Sequence, residues 1–594
     1  MKDATYRTIL LALLAGVLLF VCLRSPGFSP SWLASVEQRN IDASASAYHE
    51  IPSSNRVDWS IAGVPGGPVY RTTIYTNLTS AATHTDINNA IAAAGTGTGT
   101  NGKVVVLANG TYTLTGSIVW GTNQYVSLRG ESRDGVVLNS SAAFPIKPDG
   151  GENYASHVGY QGLASGFTKG STSVVFSATP TGNIFAGMSM LIRSTDNPNM
   201  TYASDLVGAS TVGTNYGSIH NILSVDGTTV TFTPPLPWTH LTNVFASHLN
   251  SGTGRFMLTG IGIENLTVNC DQAVWGITMV GCQKSWLTNV VVTNYADAAI
   301  VLYNGLHNEM RQVQVRVAKD WPAQGDGQGI LMNNFETAWR VEDSIFDRTA
   351  CALILEKGVN SGYFGYNFVT NTEQSSANRQ LPDVYLNHGV APMMNLFEGN
   401  WLAKIGADNY HGSSSSFTFF RNSVSGVSGT REWRIPFDIM RGAYFYNILA
   451  NVIGDSSWEP QQFIQYNATN AYSAKSPYRF GFPNQGNESL TEDITPTDGN
   501  AWSTNAAYQP FFPNSNSYPD LRVEATMVKH GNWDNWHDTI INSNGLATSF
   551  SNSLVYASRP SWLPAGYPWP MYDPATPQSN LAARLPAYQR FITP

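Results

Sequence analysis

Asp86–Leu114 reads DINNAIAAAGTGTGTNGKVVVLANGTYTL, and its two halves obey different periods. Ile87, Ala90, Ile91 and Ala94 recur at helical spacing, with Thr85 as N-cap, Asp86 in the first turn and Gly95 as the stop. After the loose TGTGTNG comes a valine run, an Asn-Gly turn and a second short run, which predicts strand, turn and strand. SIVW and YVSLRGE continue in that style. A short amphipathic helix leading into strands suits the open end of a stack of sheets. It covers unpaired edges that would otherwise recruit other chains.

Further along, Asn or a stand-in recurs just before an apolar strand, at Asn265, Asn289, Gln312, Asp343, Asn367, Asn400, Asn422 and Asn451. The intervals are 24, 23, 31, 24, 33, 22 and 29 residues. A repeat of that size with loop insertions means one turn of a solenoid. Asn suits the bend because it tolerates left-handed geometry and its amide can bond the next turn. The predicted fold is all-β: a parallel β-helix with an N-terminal capping helix.

The segments DINNAIAAAG, GKVVVLANGTYTL and YVSLRGES resemble the N-terminal cap and first turns of pectate-lyase-like (pectin lyase-like) right-handed parallel β-helix proteins. The likeness continues more loosely to about residue 455. It implies the right-handed coil and a habit of carbohydrate chemistry, not a particular reaction. The Asn-Thr-Asp, Asp-Asp, Gly-His-Gly and Arg-Ile-Lys motifs of the polygalacturonase-type branch do not occur here as such. Nor does the Asp-rich calcium cluster of the pectate lyases.

The chain divides as follows. Lys2 and Arg7 precede an apolar run from Ile9 to Leu23, closed by Arg24, so residues 1–24 read as an export signal or a retained N-terminal anchor. Residues 25–84 form an extension and 85–455 the coil. GFTKGSTSVVFS and ILSVDGTTVTFTPPLPW read as antiparallel hairpins, so 160–240 is a small inserted β subdomain. Residues 456–594 hold 15 of the 31 prolines and six of the 16 tryptophans, which predicts an irregular region packed along the coil or capping its end. Charged residues make up only 12% of the 594, and the net charge of −8 argues against a nucleic-acid partner. Cys22 belongs to the signal. Cys270, Cys282 and Cys351 are an odd number without metal-ligand spacing, so buried free thiols are expected. Secretion or envelope location follows from the signal, with membrane contact only through an uncleaved anchor.

A second ladder carries the candidate chemistry. Gly281, Gly305, Asn334, Gly358, Gly389, Gly412 and Gly442 each end a short strand, and His388-Gly389 returns as His411-Gly412 after 23 residues. Aligned on this ladder, the residues just before it are Lys357, His388, His411 and Arg441. Two places before it stand Glu356, Asn387 and Tyr410, and four places before it Tyr385, Asp408 and Asp438. Strand side chains alternate, so the second and fourth places share a face. Asp408 and Asp438 would then be neighbours, and two such carboxylates cannot both ionise freely, so one should act as acid and the other as base. That is glycoside hydrolysis. The alternative is elimination on a uronate, with His388, His411 or Tyr410 as base and Lys357, Arg421 and Arg441 holding the carboxylate. The catalytic candidates are Asp408, Asp438, His388 and His411. The substrate-binding candidates are Glu356, Lys357, Tyr385, Asn387, Tyr410, Arg421 and Arg441. No metal ligand set and no cofactor is called for. The partner expected is a polysaccharide or cell-surface glycan, cleaved by hydrolysis or elimination. The rival is an adhesive or structural surface protein that binds without cleaving.

Overall fold

A computed structural model describes residues 51–150, 161–182, 184–194, 216–240, 243–248, 257–271, 274–322, 326–372, 382–386, 391–407, 414–428, 431–432, 435–440, 442–455, 464–465, 476–481, 522–541, 549–576 and 581–593. The signal or anchor segment lies outside them. Among the described residues no helix is long and apolar enough to cross a membrane.

The chain winds into a right-handed parallel β-helix. Helix α1, His84–Ala94, begins two residues earlier than the Thr85 cap expected from sequence: the N-cap is Thr83, which forms a capping box with Asp86. Gly95 ends it at φ 70°, a left-handed position that glycine takes freely. Ile87, Ala90, Ile91 and Ala94 are buried in the coil's interior.

Three walls follow. The first is a nine-stranded sheet that includes Trp275–Val280, Ala298–Tyr303, Gln328–Asn333, Cys351–Leu355, Val384–Tyr385, Ile405–Ala407, Phe437–Ile439 and Tyr478–Phe480. The second runs through Glu309↔Arg340↔Tyr363↔Leu396↔Thr418↔Asn447↔Val528 and the third through Ile345↔Phe368↔Trp401↔Ser423↔Val452↔Trp533, all in parallel register. In early turns one continuous strand makes both of these walls. Gly262–Asn269 and Trp286–Thr293 bend at Asn265 and Asn289, whose φ values are 54° and 53°.

The asparagine repeat resolves into two ladders, one residue apart. Asn265, Asn289, Gln312 and Asp343 are the left-handed bend residues themselves. Asn289 donates to Asn265 at 3.0 Å and Gln312 to Asp343 at 3.2 Å. Asn367, Asn400, Asn422, Asn451 and Asn532 stand one place later and are buried. Each side-chain amide there donates to the carbonyl oxygen of the next, at 2.9–3.1 Å. The register pairs Glu342 with Gly365 and Ile345 with Phe368, so Asp343 lies opposite Tyr366 rather than Asn367. The spacing of 24 between Asp343 and Asn367 hides that step. The interior is filled by stacked apolar rows. Phe346, Phe364, Phe397, Phe419 and Tyr446 form an aromatic column with ring centroids 5.3–6.2 Å apart.

The insertion is a closed antiparallel barrel of Gln161–Ser165, Ser173–Phe176, Ser189–Ser194, Tyr216–Asp226, Thr229–Thr233 and Phe245–His248. Asp226 pairs with Thr229 across Gly227, as the Asp-Gly signal predicts. The barrel has its own core around Val174, Ile192, Val230 and Phe232. It docks on the coil where Leu191 and Ile219 meet Leu306, Phe335 and Ala338.

The last region departs from the expected absence of regular strands. Val528–His530 and Asn532–Asp534 add a further turn to the second and third walls, and Thr539–Ile541 pairs antiparallel with it. Beyond this, residues 549–576 contain no strand or helix. They pack with helix α2, Arg522–Ala525, excluded and α3, Pro586–Ile592, included, over the outside of the coil.

Candidate functional site: the outward face of the nine-stranded sheet

Alternation along each strand of the first wall sends Ile277, Met279, Ile300, Leu302, Ile330, Met332, Leu353 and Leu355 inward. The residues between them face out in three rows. One row is Trp275, Ala298, Gln328 and Cys351. The middle row is Thr278, Val301, Leu331, Ile354, Tyr385, Gly406, Asp438 and Arg479. The third is Asp149, Val280, Tyr303 and Asn333, with Glu356 following Leu355 at the next turn. Adjacent rungs are about 4.8 Å apart.

Along the coil axis this face changes character. At its early end Phe144, Trp275 and Tyr303 are half-exposed aromatic rings. Trp275 lies 5.5 Å from Phe144 and 5.8 Å from Tyr303, centroid to centroid. The indole N–H donates to Asp297 at 2.7 Å, which fixes the ring. Burial pushes the Asp297 carboxyl up, against the opposing pull of Trp275, and Asp326 adds to the rise. Under and beyond the rings the face is aliphatic, and Val301, Leu331 and Ile354 are buried there with Ala298 and Cys351. In the middle Asn333 donates to Glu356, which is half-buried. The Tyr303 hydroxyl is pushed up to about 12 by burial and by the nearby Glu356 and Asp297.

At the late end the face is charged and closed. Asp438 is fully buried. It accepts from Arg479 Nε at 2.7 Å and pairs with Lys404 Nζ at 2.9 Å. Burial alone would raise its pKa, but Arg479 and then Lys404 outweigh that and hold the carboxyl below its ordinary range. Asp383, buried two rungs earlier, accepts from Thr372 and the Ala403 amide, and burial raises it to about 6.

The expected site residues divide accordingly. Glu356, Lys357 and Tyr385 lie on or at the edge of this face, all half-buried; Lys357 takes a left-handed φ of 27°. Asp438 faces outward as expected, but its register partner is Gly406, not Asp408. Its ion pairs also reverse the expected sharing of a proton: Asp438 is held ionised. Arg421 is elsewhere. It occupies the left-handed bend between the second and third walls and donates to the carbonyls of Ser551 and Tyr572 at 2.9 and 3.0 Å, and to Asp573 at 3.3 Å. It pins the C-terminal region and does not reach the first wall's face. Asn387, His388, Asp408, Tyr410, His411 and Arg441 lie outside the described residues.

Sequence reading missed Phe144, Trp275, Asp297 and Asn333. Alternation puts Tyr303 outward, but Trp275 shares the parity of the inward Ile277 and Met279 and faces out only because the alternation breaks at Gly276. Aligning the strands on their terminal glycines shifted early turns by one residue: Val280 pairs with Tyr303, not with Asn304. Such a slip exchanges inside and outside. Among the described residues no three His, Cys, Asp or Glu side chains come together as a metal-ligand set.

No protein-family model and no curated protein matches the sequence. Solved structures do. The tailspike protein of Pseudomonas phage LKA1 is 15% identical, with a TM-score of 0.43 over 59% of this chain and 54% of its own. The tailspike of Pseudomonas phage phi297 is 12% identical, with a TM-score of 0.42 over 62% and 57%. An alginate lyase from Paenibacillus is 10% identical, with a TM-score of 0.33 over 63% and 90%. The chain thus spans little more than half the length of the two tailspikes it matches.

Proposed function

We propose that the chain is an exported protein that binds a polysaccharide along the outward face of its first wall and cleaves it there. One observation carries the reading: a strip of half-exposed aromatic rings stands at one end of the face, with the Asn333–Glu356 pair at its middle. Flat rings meet the apolar faces of sugar rings, and fixed amide and carboxylate groups meet hydroxyls. In this proposal Glu356 is one carboxylate of the reaction, and Asp408, His388 and His411 are the candidates for its acid–base partner. Tyr385, Asn387, Tyr410, Lys357 and Arg441 contact substrate. Asp438 is assigned to structure.

Binding without cleavage is the second reading. The burial and ion pairing of Asp438 favour it, because the second carboxylate expected of a catalytic pair is locked away.

The test is a screen against neutral and acidic polysaccharides, following reducing ends and unsaturated-uronate absorbance separately. The proposal expects Glu356→Gln, and at least one of Asp408→Asn, His388→Ala and His411→Ala, to abolish turnover while leaving the thermal melt in place. Activity retained in all four variants overturns it.

A further inference from the structure

We infer, resting on the reading above, that the early end of this face is a recognition subsite for an uncharged hexopyranosyl unit, and that the face as a whole disfavours polyuronates. Two independent features lead there.

The first is shape. Phe144, Trp275 and Tyr303 pack ring against ring, with 5.5 and 5.8 Å between centroids, into one half-exposed aromatic strip over the buried Val301. Trp275 and Tyr303 stand on paired strands of adjacent turns, so their spacing is set by the coil, and Phe144 packs on Trp275 from the segment before Ile146. Asp297 locks the indole with one carboxylate oxygen, Oδ2, and leaves Oδ1 as an acceptor for a sugar hydroxyl. An aromatic wall beside a carboxylate acceptor matches a ring that has one apolar face and a rim of O–H donors.

The second is charge. Lys147 is paired with Asp149 at 3.1 Å. Arg421, expected to hold a substrate carboxylate, is spent on the C-terminal region. Lys404 and Arg479 are buried against Asp438. Among the described residues, the carboxylates Asp297, Asp326 and Glu356 therefore outnumber Lys357 on the open part of the face. A polyanion approaching this field is repelled, and its carboxylates would lose hydration with too few cations to offset the loss. A neutral chain meets neither cost. This favours hydrolysis of a neutral glycan over elimination on a uronate.

Affinity electrophoresis of the full chain tests this, with gels containing neutral glucan, galactan or mannan in one set and polygalacturonate or alginate in the other. Trp275→Leu, which keeps apolar bulk but removes the flat ring and its N–H, and Tyr385→Ala are run beside the parent, each checked by its thermal melt. The expected result is retardation by at least one neutral polysaccharide and by neither polyuronate. Trp275→Leu should weaken that retardation by roughly tenfold or more, the usual effect of truncating an anchoring tryptophan. Retardation by a polyuronate that falls in both variants overturns the charge inference while keeping the face as the binding site. Retardation unchanged in both variants, or none with any polymer, overturns the site itself.

Discussion

Glu336 is wholly buried beside Gly305 and Cys282, and its two oxygens fare differently. Oε1 accepts from Asn308 Nδ2 at 2.8 Å, while Oε2 has no hydrogen-bond partner among the described residues. Burial raises its pKa to about 8, only partly offset by the bonds from Asn308 and the Gly305 amide. A carboxyl raised in the folded state binds more protons folded than unfolded between the two pKa values. Stability is therefore fully present below the unfolded value of 4.5 and is lost as pH rises through 8. The loss should reach about 3–5 kcal/mol. Glu336→Gln should flatten that part of the profile, so that it melts with the parent near pH 5 and above it at pH 9. Equal melting-temperature differences at both pH values would sink the assignment. Asp438 is the opposite case, since it is ionised and paired. Asp438→Asn leaves Lys404 and Arg479 without their counter-charge and should cost about 3–5 kcal/mol in urea unfolding. A loss below about 1 kcal/mol would show that the triad is not the buried structure described. Sequence placed Asp438 on the outward face but showed neither its ion pairs nor the burial of Glu336. NNFETAW gives no sign that its Glu points inward, and the partners of Asp438 lie in other turns, joined to it only by the register.

At the scale of the element, the asparagines divide by position rather than by type. Asn400 accepts from the Asn367 backbone and side-chain amides at 2.9 and 3.1 Å, and donates to Phe364 and Asn422 at 2.8 and 2.9 Å. Asn400→Ala strands these buried partners, and each buried unsatisfied group costs about 1–3 kcal/mol. Asn289 has one part-buried bond to Asn265 and a left-handed backbone. Asn289→Gly keeps that backbone and should cost within about 1 kcal/mol. Urea titration of both variants checks the contrast, and equal losses would contradict it. The repeat was readable because a bend every 22–33 residues needs a residue tolerant of it. The one-place step between the ladders was not, because Asn serves both positions and the spacing alone cannot say which. The same ambiguity carried the first wall's strands one residue out of register. It hid Trp275 and Tyr303 while leaving Glu356 and Tyr385 in view.

Over the whole molecule, described segments before and after the coil cover the second wall. Trp59 donates to the Met394 carbonyl at 2.7 Å, the Gly63 amide to Ala338 at 2.7 Å and the Val64 amide to Glu309 at 3.0 Å, so residues 59–64 run back along the coil towards its early turns. From the other end, Leu554, Tyr556, Trp562 and Tyr572 pack on Tyr363, Tyr366, Leu396 and Phe420. The coil was predictable because its signal repeats. These coverings were not, because their contacts are made once each between distant segments, in proline-rich sequence without a period. Glu398 ties the C-terminal region down by accepting from Ser553 Oγ at 2.5 Å and the Leu554 amide at 2.8 Å. Tyr366 donates to it as well, at 2.9 Å, and Arg421 lies near. Burial outweighs these bonds and lifts its pKa to about 7. The sign follows as for any raised carboxyl: docking is strongest when Glu398 is protonated and weakens as pH rises through 7. Backbone amides of residues 551–556 should therefore exchange hydrogen faster at pH 8 than at pH 6, beyond the intrinsic dependence of exchange on pH, while those of the Asn ladder keep their relative protection. Glu398→Gln should remove the excess at 551–556. Excess exchange that persists in this variant would mean that some other group governs the contact.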